Sequence, residues 1–147
     1  MKSMIPCIPG FHHDDIWRNE TGQPDYDDIK FKSEHVMGLV NGDVAPTSIA
    51  VGSHVLPSFN PLKEIAYGKW HPIVEEQIKN RILVEHQAPS GKLIEFNWQT
   101  MHRGVEAVKN GWRWFVRISR NTERQGMFKN EIRNQTQVYL PRPYGGW

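Results

Sequence analysis

One cysteine, Cys7, stands among 147 residues. That excludes an intrachain disulfide and fits a reducing compartment. No window approaches the ~18 consecutive apolar residues of a membrane-spanning helix. No long apolar stretch opens the chain in the manner of a secretory signal. The expectation is a cytoplasmic protein with no membrane partner. Charge of either sign is also scarce in excess: the net charge is +2 and the pI about 8.7, so composition alone marks no nucleic-acid groove. Apolar residues make up only 38%, with a mean hydropathy of -0.61.

What is present offsets that shortage. Six Trp, six Phe and four Tyr can each bury a large area. Ten Pro and twelve Gly predict many short elements joined by turns. The length corresponds to a single domain spanning residues 1–147, enough to bury one core. No internal repeat or low-complexity stretch stands out. The positive excess gathers between Arg103 and Arg142, as either an anion site or a solvated strand face with a basic tail.

Most segments read as strands: residues 5–14, 35–40, 47–51, 53–56, 81–86, 92–98, 101–108, 112–120 and 136–140. The Asn41-Gly42-Asp43 turn closes the second of these. One helix is predicted, opened by His71-Pro72, where the missing proline N–H costs little. Ile73, Val74, Gln77 and Ile78 follow at helical spacing to near Asn80. Asn110-Gly111 between two β-rich runs predicts a hairpin. The expected fold is mainly β, a sandwich or jelly roll with one or two short helices.

Two constellations carry chemistry. The first is Gly10-Phe11-His12-His13-Asp14-Asp15. On extended backbone, residues two apart share a face, so His12 with Asp14, or His13 with Asp15, can offer one nitrogen and one oxygen to an ion. A further histidine would complete a two-His, one-carboxylate facial triad, which suits non-haem iron(II). The same residues also occur as ordinary polar surface.

The second constellation is His102 followed by the run from Trp112 to Ser119. Alternation puts Arg113, Phe115, Arg117 and Ser119 on one face, and Trp112, Trp114, Val116 and Ile118 on the other. Periodicity does not decide which face points inward. If the Arg face does, its cations need an anion. Arg offers two parallel donors to a carboxylate, and a neighbouring Ser hydroxyl a third.

Taken in order, His12-His13-Asp14, His102 and Arg117-Ile118-Ser119 resemble the iron(II)/2-oxoglutarate-dependent oxygenases. Their pattern is H-x-D, a distal His, then an Arg, followed in several branches by Ser two residues on. Fifteen residues separate His102 from Arg117, a spacing the family uses. The likeness runs from about residue 9 to 119. It implies a double-stranded β-helix, a cupin-like barrel with the Arg face inward. It also implies Fe(II) on His12, Asp14 and His102, and 2-oxoglutarate held by Arg117 and Ser119. Arg113, at a second permitted spacing, is a further candidate for the cosubstrate or substrate.

The implied activity is O2-dependent hydroxylation of a small-molecule, amino-acid or nucleobase-type substrate. The retained Asp14 favours hydroxylation over halogenation. Trp17, Arg18 and Arg103 are near enough in sequence to line the mouth. His35, His54, His71 and His86 stand isolated and read as non-ligands. Family members carry more chain before the H-x-D motif, so an open sheet edge and a homo-oligomer are also expected. Two other readings compete: a cupin-like metal protein without 2-oxoglutarate, and a β-sandwich binding module gripping a sugar or peptide with exposed Trp.

Overall fold

A computed structural model of the chain describes residues 2–5, 10–17, 20, 24, 32–58, 60, 63–64 and 66–122. The expected strand at 136–140, Cys7 and Arg18 lie outside these. The described chain is mainly β: two antiparallel three-stranded sheets and one helix. In chain order the elements are β1 (Glu34–Val40), β2 (Thr47–Val51), α1 (Ala66–Lys79), β3 (Val84–Gln87), β4 (Leu93–Asn97), β5 (Met101–Gly104) and β6 (Trp114–Arg120). One sheet has the order β4-β1-β6, the other β3-β2-β5. No helix among the described residues is long and apolar enough to cross a membrane.

Alternation along β1 builds the space between the sheets. His35, Met37 and Leu39 point to one side and are buried. Met37 and Leu39 pack with Ile94 and Phe96 of β4, Ile49 of β2, and Ala88. The strand ends at Asn41, whose φ of +55° lies in the left-handed region that asparagine tolerates.

A second cluster lies beneath the helix. Ala66, Trp70 and Val74 recur every four residues along α1, so they share one helical face. They pack on Phe11, Ala50, Leu83 and Met101. This burial explains why the helix starts at Ala66 rather than at His71-Pro72. Pro72 sits inside it and costs a backbone hydrogen bond, but Ala66 and Trp70, 4% and 2% exposed, hold the turn ahead of it. The Trp70 indole N–H is also satisfied, donating to Pro57 O at 2.8 Å.

Two other expectations change. Residues 53–56 form no strand. Asn110-Gly111 closes no hairpin, because β5 pairs with β2 while β6 pairs with β1, in the other sheet. The intervening loop is tied down elsewhere: Ala107 N–H donates to Met4 O and Val108 N–H to Val44 O, at 2.8 and 3.0 Å. Gly111 meets a packing demand there. A Cβ on it would come within 2.9 Å of Val44. Close backbone approach and a tight turn both select glycine, and the sequence alone does not separate them.

Candidate metal centre

The site begins with a backbone contact. His12 N–H donates to His102 O and His102 N–H to His12 O, each at 3.0 Å. The segment around His12 thus extends the sheet beyond β5. Residues directly opposite in an antiparallel pair project to the same face, and the two imidazole centroids are 4.6 Å apart. Asp14, two residues past His12, returns to that face. Its Oδ2 is 3.0 Å from His102 Nε2. One ligand atom from each of His12, Asp14 and His102 lies within 4.8 Å of the others. This is the one such group among the described residues. The alternative pair does not join it: the His13 ring turns toward His54, Tyr67 and Trp70.

The ring nitrogens are sorted by the backbone. His12 Nδ1 lies 2.9 Å from Gly10 O, and His102 Nδ1 lies 3.1 Å from Thr100 O. A carbonyl only accepts, so both Nδ1 atoms carry hydrogen and both Nε2 atoms keep a lone pair in the neutral ring. His102 Nε2 then faces a carboxylate oxygen. Two acceptors at that distance need a positive charge between or beside them. Arg117 contributes one at Asp14 Oδ2, and an ion held by the three ligand atoms could contribute another, each imidazole being oriented through its other nitrogen as in metal-bound histidines.

The electrostatics agree. Burial lowers the His12 pKa to about 4, aided by His102 and Arg117, which keeps its nitrogen available as a ligand. Burial and then His54 lower His13 to about 3. Burial opposes ionisation of Asp14, but His102 and Arg117 outweigh it and hold the carboxyl well below the usual range.

β6 supplies the cations. Its register sets Ser119 against His35, Arg117 against Met37 and Phe115 against Leu39. The Arg face therefore shares the side of β1 that faces the other sheet. Arg117 Nη1 donates to Asp14 Oδ2. Ser119 is exposed, and its Oγ lies 2.8 Å from His35 Nδ1. His35 Nε2 in turn meets Ser33 Oγ, which donates to Asp15 O. That chain has one consistent direction: Ser33 receives the His35 Nε2 proton, and Ser119 donates to Nδ1. Arg113, just ahead of β6, is elsewhere, donating to Thr47 Oγ1 at 2.8 Å.

Arg103 does not line the mouth. It alternates with His102, so it points under the sheet, where it binds Glu85 and Glu75 and caps the Phe11 ring at 4.5 Å. His71 is not isolated: its Nδ1 accepts the Phe11 N–H at 3.2 Å. These contacts clamp the residue before His12 between α1 and β5. Gly10 fits the same clamp, with φ of +87° and room for a Cβ only 3.2 Å from the His71 ring. The His71-Pro72 pair reads as a helix opener in sequence, which conceals this role. An open cleft of about 650 Å³ is lined in part by His54, Leu56, Gln99 and Thr100, and the His54 ring lies 5.4 Å from that of His13. The size of the cleft suits a small molecule.

Comparison with protein-family models, curated proteins and solved structures returned no match.

Proposed function

We propose that this chain is a non-haem iron(II), 2-oxoglutarate-dependent oxygenase that hydroxylates a small-molecule, amino-acid or nucleobase-type substrate. The observation that carries the reading is the convergence of His12, Asp14 and His102, with Arg117 donating to that same carboxylate. Two imidazoles and one carboxylate on one face suit iron(II) and leave positions for further ligands. The strand order supports a double-stranded β-helix: β3, β4, β5 and β6 alternate between the two sheets.

Iron and 2-oxoglutarate, held by His12, Asp14, His102 and Arg117, would supply the coupling of O2 reduction and cosubstrate decarboxylation to C–H oxidation. The protein's part is binding and orientation. His12 and His102 present Nε2, each steadied through its Nδ1–H. Asp14 supplies the anionic ligand. Arg117 would bind the far carboxylate of the cosubstrate through its paired N–H groups on giving up its bond to Asp14. Ser119 can assist only after exchanging its bond to His35. Phe96, whose ring lies 5.1 Å from that of His102, gives the centre an apolar wall against water.

An anaerobic titration with Fe(II) and 2-oxoglutarate tests this. A weak visible charge-transfer band is expected, absent from His102→Ala. Metal binding without the band, unchanged in Arg117→Gln, would support the cupin-like alternative instead. No metal binding at all would remove the oxygenase reading.

A further inference from the structure

We infer that the Arg117–Asp14 ion pair makes cation binding and carboxylate binding at this site mutually dependent, each releasing the residue the other needs. The inference rests on the metal-centre reading and adds a regulation to it.

Asp14 Oδ2 is contacted from two sides, by His102 Nε2 at 3.0 Å and by Arg117 Nη1. The Asp14 and Arg117 side chains are 18% and 30% exposed, so water screens the pair only partly. A divalent ion coordinated by that oxygen competes directly with the guanidinium. Displaced, Arg117 keeps its charge beside a second cation. Among the described residues it forms a salt bridge with no carboxylate but Asp14.

An incoming carboxylate removes that penalty by pairing with the guanidinium. The converse follows from linkage: a carboxylate that takes Arg117 frees Asp14 for the metal by the same factor. Without an anion, Arg117 acts as a latch that weakens the cation site. With one, it becomes part of the binding wall. The pair thus disfavours metal loading in the absence of the carboxylate partner.

The experiment measures Mn(II) affinity by calorimetry with and without saturating succinate, a dicarboxylate that lacks the keto oxygen for chelation. In the unaltered chain succinate should tighten Mn(II) binding by about 5-fold or more, within the usual range of coupling between sites. Arg117→Gln should bind Mn(II) more tightly than the unaltered chain in the absence of succinate, and should not respond to it. Damage to the fold would weaken binding, so a gain cannot come from that source. Weaker or unchanged Mn(II) binding in Arg117→Gln overturns the inference.

A metal-free arm separates it from the parent reading. Asp14→Asn should bind succinate more tightly than the unaltered chain, and the gain should vanish in Asp14→Asn/Arg117→Gln. If that gain appears while no variant binds Mn(II), Asp14 only shields a carboxylate site at Arg117, and the metal centre and the coupling fall together. If Mn(II) binds normally but the gain is missing, the latch falls and the metal centre stands.

Discussion

β1 and β6 lie side by side, each seven residues long and paired in register from end to end, yet they meet opposite surroundings. β1 is central, and its inward residues Met37 and Leu39 are 1% and 2% exposed. β6 has no second neighbour among the described strands. Its outward Trp114 and Ile118 are 59% and 68% exposed, and even inward Phe115 is 45% exposed. The same alternation therefore builds core in one strand and an accessible wall in the other. Arg117 is exposed on a strand with one neighbour among the described strands. His35, on the closed strand, serves as a fixed hydrogen-bond partner. Position in the sheet decides which role a period-two pattern plays.

The largest expected effect is on the closed strand. Leu39→Ala should lower unfolding free energy by about 2–5 kcal/mol, the usual cost of a core cavity, read by urea denaturation. A cost near zero would mean that β1 is not the centre of the core.

Next comes acid. Burial holds His12 and His13 neutral in the fold, with pKa values lowered from 6.5 to about 4 and about 3. The unfolded chain therefore binds more protons through this window, and stability rises with pH there. Metal-free protein should be at full strength from these groups above pH 6.5. It should lose on the order of a few kcal/mol as pH falls from 6.5 towards 4. Asp14, also lowered, adds its loss below the ordinary carboxylate range. Denaturation midpoints against pH check this, and a flat profile between 6.5 and 4 would contradict it.

The tie between the two strands is smaller. Ser119→Ala removes the hydroxyl bonded to His35 and should cost about 0.5–1.5 kcal/mol. Smallest of all is the outer face of β6, where Ile118→Ser should change stability by no more than about 0.5 kcal/mol. Equal losses at Leu39 and Ile118 would erase the contrast.

Legibility in the sequence follows the same division. The span 47–51 matches β2, and most other strands fall within a few residues of their predicted ends, because alternation is a local signal. The hairpin at Asn110-Gly111 failed because the partners of that loop are distant: Ala107 and Val108 bond to Met4 and Val44, far away in sequence. The helix began early because Trp70 and Ala66 answer to packing against Phe11 and Leu83 rather than to the proline. At the site, the resemblance to a known family's motif order nominated His12, Asp14, His102 and Arg117, while spacing alone left the Arg face undecided. It could not choose between the His12/Asp14 and His13/Asp15 pairs. That choice comes from the reciprocal backbone bonds between His12 and His102, which no local pattern encodes. His71 and His35 were passed over for the same reason, since their partners Phe11 and Ser119 are 60 and 84 residues away.

The most direct test follows the imidazole nitrogens of all seven histidines by ¹⁵N NMR as one equivalent of Zn(II), a diamagnetic stand-in for iron, is added to the metal-free protein. The Nε2 resonances of His12 and His102 should shift together and saturate at one ion per chain, while those of His13, His35 and His54 hold their positions. Saturation at His13 and His54 instead, or no shift at His102, would contradict a centre built from His12, Asp14 and His102.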